Sequence, residues 1–221
     1  MILPLSTTAN LAITAVADAH DAAQKTISYL IKRRVALAGG ATYAALFPHW
    51  VALRPDVSKT SFYPADERMV PFDDHRSNWG SIYQTFLSPL GKRADKSHHA
   101  VSVDQYYQLL SADFNHKPIV FDTIFLAPGL DGHVASLFAG GSYWSYTNQP
   151  VVETCSPLPP IRRISLSPEV IAAAGEVVIV VLDEKKRSVV DRLRAGDDSL
   201  PVTKICLMRS ITQLYLNKEL Y

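Results

Sequence analysis

The sequence predicts an α/β fold with a mostly parallel central sheet and helices on both faces. Three observations carry that expectation. Short apolar runs alternate with stretches of helical periodicity along the whole chain. Val35–Ala38 and Val177–Leu182 are continuously apolar, as strands buried on both faces are, and Phe121–Ala127 is nearly so. Each of these runs stops at a turn rich in glycine or charge.

Taken in order, the chain is expected to begin with a helix capped by Asn10. Leu11, Ala15, Ala19, Ala23, Ile27 and Leu30 recur at helical spacing, with Asp18, Asp21, Lys25 and Lys32 off that stripe. Lys32, Arg33 and Arg34 suit a helix C-terminus. Val35–Ala38 reads as a buried strand leaving through Gly39 and Gly40, and 41–53 as helix. Ser61–Ala65 is a strand, Asp66–Arg68 a polar turn, and 69–76 a long loop. Asn78–Leu87 and Asp104–Phe114 read as helices. Phe121–Ala127 is the clearest strand and breaks at Pro128-Gly129-Leu130-Asp131-Gly132-His133. Arg163–Leu166 is a short strand, followed by a helix opened by Pro168. Val177–Leu182 is a strand, Asp183–Leu193 a helix, and 204–208 and 213–216 the last extended pieces. Pro157–Pro160 reads as a loop within one domain.

Composition narrows the function. The chain has 221 residues, 48% of them hydrophobic and 19% charged, a globular balance. Lys and Arg number 22 against 21 Asp and Glu, a net charge of +1. No general basic field exists to hold a nucleic acid, although a local cationic pocket for a small anion is compatible with this balance. Cys155 and Cys206 stand far apart, match no metal-ligand spacing and read as reduced, partly buried thiols. The first ten residues have no basic segment and no long apolar run, so no signal peptide is read. No apolar run reaches the length of about 20 residues that a bilayer needs. A cytoplasmic protein without a membrane partner is expected.

In an open parallel sheet, ligands bind at the carboxyl ends of strands. Three loops follow strands directly and carry glycine or charge: Gly39–Thr42, Asp66–Arg68 and Gly129–His133. Their tips are expected to share one rim. Gly39 and Gly40 allow a tight turn before a helix whose unpaired N–H groups suit a phosphate, with Thr42 adding a hydroxyl. The same glycines also serve a strand-to-helix turn by geometry alone. His133, after two glycines, is a usable base near neutral pH, with Asp131 to orient it. A surface histidine beside an Asx-turn aspartate gives the same spacing. Arg163 and Lys186 remain as cations, and Lys186 falls in the first turn of a helix, where the dipole does not favour it. His98-His99 reads as a solvated loop, and His20 as structural or exposed.

Taken together, these segments resemble the 6-phosphogluconolactonase family, within the group that includes glucosamine-6-phosphate deaminases. Gly39-Gly40-Ala41-Thr42 resembles the family's first loop. Asp66-Glu67-Arg68-Met69-Val70-Pro71 with Ser77-Asn78 resembles its second stretch, and 121–138 its central signature. Arg163 and Lys186 fall where the family carries phosphate-binding cations. The resemblance runs from about Gly39 to Pro201. It implies a single-domain Rossmann-like sandwich over residues 1–221. It also implies hydrolysis of 6-phospho-D-glucono-1,5-lactone, with no metal or organic cofactor and a small sugar-phosphate lactone as partner. His133, Asp131 and Arg68 would carry the chemistry. Gly39, Gly40, Thr42, Asp66, Asn78, Arg163 and Lys186 would bind substrate. The chain departs from the pattern at Ala127-Pro128, at Asp183 in place of a glycine, and at Ala139 in place of a proline. A deaminase is the alternative enzyme, but its motif has an acid soon after the histidine. Here the next acidic residue is Glu153. A non-catalytic sugar-phosphate binder is the other alternative. Oligomeric state is left open.

Overall fold

The computed structural model describes residues 9–92, 98–99, 102–145 and 148–221. In chain order the strands are β1 (Leu11–Val16), β2 (Arg34–Leu37), β3 (Ser61–Pro64), β4 (Asp66–Arg68), β5 (Thr123–Leu126), β6 (Val151–Cys155), β7 (Arg162–Leu166), β8 (Glu176–Val181) and β9 (Thr212–Asn217). The helices are α1 (Ala19–Thr26), α2 (Ala41–Leu53), α3 (Asn78–Ile82), α4 (Val103–Asp113), α5 (Pro168–Ala173), α6 (Arg187–Arg194) and α7 (Pro201–Leu207).

Six parallel strands form the central sheet in the order β1-β9-β8-β5-β2-β3, and helices flank it. A second, antiparallel sheet of three strands has the order β4-β7-β6. In the central sheet, β2 leads outward to β3, whereas β5 leads the other way to β8 and β9. The crevice between the carboxyl ends of β2 and β5 is therefore the point where the winding reverses, which is where open α/β sheets hold their ligands.

The core explains the order of these strands. Every residue of β5 is buried, and β8 is buried from Val177 to Val181. Against this sheet α2 lays Tyr43, Phe47 and Trp50, which meet Phe125 and Phe86 with ring centroids 5.1–6.2 Å apart. Aromatic side chains bury large areas here and satisfy their polar ends. The Tyr43 hydroxyl donates to the Leu126 carbonyl at 2.8 Å, and Trp50 Nε1 to Thr26 Oγ1 at 3.2 Å. Among the described residues no helix is long and apolar enough to cross a membrane.

Several expectations are corrected. Leu11–Val16 is a strand, not the start of a helix. Leu11, Ala15 and Ala19 fit helical spacing, but β9 offers a parallel partner along the full length of the segment, and tertiary pairing wins. Asp18, rather than Asn10, caps α1, accepting from the Asp21 amide at 2.9 Å. Asp66–Arg68 is a strand and pairs with β7, so the run read at 163–166 belongs to the antiparallel sheet. Val151–Cys155 is a strand that the sequence did not announce. Residues 204–208 fall mostly in α7, which Pro201 opens at its first turn. The helix begun at Asn78 widens through Tyr83–Leu87. Both cysteines are free, with Cys206 buried and Cys155 exposed.

His98 and His99 are buried, not solvated. His98 stacks on Tyr63 at 4.7 Å, and its Nδ1 lies 2.7 Å from the Phe62 carbonyl. The polar neighbours in sequence hid this, because the partners come from β3.

Candidate functional site

The turn after β2 is built for close approach. Gly40 has φ +87°, and a Cβ at Gly39 would fall 2.3 Å from Asn78 Oδ1. Behind it, α2 starts with neither a side-chain cap nor an acidic residue in its first turn. The leading N–H groups and the positive end of the helix therefore face the crevice unopposed.

The β4–β7 pair supplies the next wall. Its register sets Arg68 directly opposite Arg163. Like charges in that position repel, and among the described residues neither guanidinium has a carboxylate ion-pair partner. Each is held by neutral acceptors instead. Arg68 donates to the Arg76 carbonyl at 2.8 Å, and Arg163 to the Pro160 carbonyl at 2.7 Å. Arg68 Nε is buried and, among the described residues, has no hydrogen-bond partner. Burial, then the Arg68 charge, hold Arg163 below the usual arginine range, with Asp66 and Glu67 opposing.

Lys186 closes the ring. It ends a single 3₁₀ turn ahead of α6 rather than lying inside the first turn of an α-helix. Its ammonium lies 3.3 Å from Thr42 Oγ1. Burial pulls its pKa down, while Asp183 opposes the shift. The Asp183 carboxylate itself accepts from the Lys185 amide at 3.0 Å and so caps the turn.

The 129–138 loop brings the titratable pair. His133 Nδ1 lies 2.5 Å from Asp131 Oδ1. Burial raises the Asp131 pKa, but the hydrogen bonds and charge of His133 outweigh it and hold the carboxyl below its ordinary value. A carboxylate accepts only, so Nδ1 carries a hydrogen, and in the neutral imidazole the lone pair is on Nε2. The ring lies over Gly129, where a Cβ would meet Cε1 at 2.2 Å. The Gly129 amide bonds the His133 carbonyl at 2.8 Å, and the Val202 amide bonds that of Gly132 at 3.0 Å.

A cleft of about 170 Å³ unites these parts. Gly39, Gly40, Thr42, Asp66, Arg68, Asn78, His133, Arg163 and Lys186 all line it. Asp131 does not; it stands behind His133. Asn78 and Asp66 are almost fully buried, and part of their work is local. Asn78 Nδ2 donates to the Asp66 carbonyl at 3.1 Å, and Ser136 Oγ donates to Asp66 Oδ2 at 2.6 Å.

Sequence reasoning passed over Glu67, which is fully buried beneath the cleft. Its Oε1 accepts from the amides of Arg68 and Asn78, both at 2.7 Å. Its Oε2 accepts from the Trp79 amide at 2.7 Å and from Ser77 Oγ at 3.0 Å. Burial lifts the carboxyl to about 7 against these four donors. A protonated acid would need an acceptor, and three of the partners can only donate, so the turn is built around the anion. Strand alternation was the available signal: Asp66 and Arg68 on the cleft side put Glu67 on the other.

At the winding reversal of a parallel sheet, three cations that have no ion-pair partner among the described residues, an uncapped helix N-terminus and an Asp–His pair form a cleft with the chemistry to hold a small anion beside an acid–base group. The chain belongs to the family described as glucosamine-6-phosphate isomerases/6-phosphogluconolactonase, whose pattern it matches over residues 6–214. It is 28% identical to the protein named 6-phosphogluconolactonase 3 from Saccharomyces cerevisiae, over 85% of this chain and 83% of that one. It is also 28% identical to the 6-phosphogluconolactonase of Borreliella burgdorferi, over 64% of each. In fold it is similar to the solved 6-phosphogluconolactonase from Trypanosoma cruzi, with a TM-score of 0.77 at 22% identity and 96% of both chains covered.

The four donors around Glu67 set the effect of Glu67→Gln. Either orientation of the amide sets an NH2 against a backbone donor and leaves it unpaired. Unfolding in urea should show a loss of about 1–3 kcal/mol, the usual cost of one unsatisfied buried group. An unchanged stability would show that the turn does not depend on the carboxylate.

Proposed function

We propose that this chain hydrolyses 6-phospho-D-glucono-1,5-lactone to 6-phosphogluconate, the ring-opening step of the oxidative pentose phosphate route. The observation that carries this reading is that His133, bonded to Asp131 behind it, lines one small cleft together with Arg68, Arg163 and Lys186. A lactone is an activated ester, so one positioned base and a water suffice. His133 Nε2 takes a proton from water as its oxygen attacks C1. The tetrahedral oxyanion is held by backbone N–H groups and by Arg68. The bond from C1 to the ring oxygen then breaks, and the imidazolium returns its proton to that oxygen. Gly40, Thr42, Arg163 and Lys186 clamp the phosphate, and Gly39, Asp66 and Asn78 shape the sugar side. Binding at the phosphate fixes C1 beside His133.

The same reading takes residues 1–221 as one domain of a cytoplasmic enzyme with neither a nucleic-acid nor a membrane partner, and without a metal or organic cofactor. Ring-opening isomerisation with loss of ammonia is disfavoured. Glu153, the first acid after His133, sits on β6 tied to Arg162 at 2.8 Å and does not line the cleft.

Two measurements test this. Initial rates, with spontaneous hydrolysis subtracted, should show turnover of the phosphorylated lactone and no ammonia from glucosamine 6-phosphate; ammonia release would overturn the reaction class. In the same assay Arg163→Ala should cost about 2–5 kcal/mol in kcat/KM, the scale for truncating a charged partner. Unphosphorylated gluconolactone should be far less affected, and equal losses on both would remove Arg163 from phosphate recognition.

The pH dependence tests Asp131. Its depressed pKa keeps the carboxylate charged across neutral pH. Asp131→Asn removes that anion, which makes a neighbouring imidazolium easier to deprotonate. The acid limb of the kcat/KM profile should move to lower pH, with a lower plateau. An unmoved limb would take Asp131 out of the mechanism.

A further inference from the structure

The Asp131–His133 bond fixes one edge of the imidazole, and Gly129 backs one part of the ring. Both side chains are also partly exposed, at 32% for His133 and 53% for Asp131, so water competes for the contact. A further restraint is needed, and the loop supplies one. The Phe138 ring lies against the His133 ring, with centroids 4.7 Å apart and planes inclined by 38°.

Phe138 is itself held by an arrangement that serves no part of the cleft. Its amide donates to Tyr143 Oη at 2.6 Å, and that hydroxyl donates back to the Phe138 carbonyl at 3.0 Å. Trp144 Nε1 donates to the same carbonyl at 2.8 Å. Gly141 makes room, since a Cβ there would fall 2.1 Å from Tyr143 Cζ. The Lys204 ammonium of α7 sits 5.2 Å from the centre of the Trp144 ring. Neither Tyr143 nor Trp144 lines the cleft. Two large aromatic side chains thus spend their polar atoms on the backbone of one residue, and that residue's ring rests on the base.

We propose that Phe138, fixed through its backbone by Tyr143 and Trp144, is a positioning residue that holds the His133 imidazole in its Asp131-bonded orientation. The proposal rests on the reading of His133 as the general base, and its test is arranged so that the two can fail separately. Phe138→Leu keeps apolar bulk but removes the ring, and Phe138→Tyr keeps the ring. In Phe138→Leu, kcat should fall on the order of tenfold, as small misplacements of a reacting group do, with KM unchanged. Phe138→Tyr should stay near wild type. Independently of activity, the His133 ring-proton resonance, assigned as the signal lost in His133→Gln, should move in Phe138→Leu and stay in Phe138→Tyr. Should Phe138→Leu fail to fold, Tyr143→Phe carries the test, with a smaller loss in kcat and a moved His133 resonance. A wild-type kcat and an unmoved resonance in the folded variant would overturn the proposal, as would a loss confined to KM. A resonance that moves in Phe138→Leu, where the wild-type chain shows no lactonase activity, would instead refute the functional reading and leave the positioning role standing.

Discussion

Three cations, Arg68, Arg163 and Lys186, share one small cleft, among the described residues none of them has an ion-pair partner, and much of the surrounding structure is arranged to tolerate that. Arg68 and Arg163 are cross-strand partners, the placement in which like charges repel most directly. Burial further disfavours the charge on Arg163 and on Lys186. Part of what offsets this is Asp66, which lines the cleft and opposes the shift on Arg163; the rest lies behind the cleft. The Glu67 carboxylate sits beneath, pinned by four donors, and carbonyl oxygens take the guanidinium N–H groups. On the proposed function, a phosphorylated ligand would relieve the repulsion when it binds. The binding energy is then available at a point remote from the reacting carbon.

The sheet decides where this happens. The chain winds outward from β2 to β3 and returns to wind the other way from β5 to β8, so the carboxyl ends of β2 and β5 border the crevice. One end delivers Gly39, Gly40 and the uncapped start of α2. The other delivers the 129–138 loop with Asp131 and His133. The small antiparallel sheet, laid beside this crevice, adds the two arginines from neighbouring strands. The cations of the cleft and its Asp–His pair thus come from different elements, and the backbone holds the 129–133 turn at several points.

The residues at the cleft were legible because they sit in short, chemically marked loops. Gly39-Gly40, Asp66 with Arg68, and Asp131-Gly132-His133 each follow a strand, and the winding rule gathers strand ends without any knowledge of contacts. Glu67 was not legible, because a charged residue between two other charges reads as solvated until strand alternation places it inside. Tyr143 and Trp144 carried no signal at all, since their role lies in bonds to one backbone unit. The fold was read well where apolar runs are continuous, as in β5 and β8. It was misread at Leu11–Val16, where alanines satisfy both periods and a partner 200 residues away decides. At 163–166 the strand was read and its antiparallel sheet was not, because sequence pattern reports burial but not pairing partner.

The central claim is that His133 Nε2 is the base that activates water. Its most direct test is kcat of His133→Ala for the phosphorylated lactone at neutral pH, with the spontaneous rate subtracted and product binding measured alongside. The account predicts a fall of about 10²-fold or more, the range for removing an acid–base group, with affinity for 6-phosphogluconate retained. A variant that binds the product and turns over at the wild-type rate would contradict it.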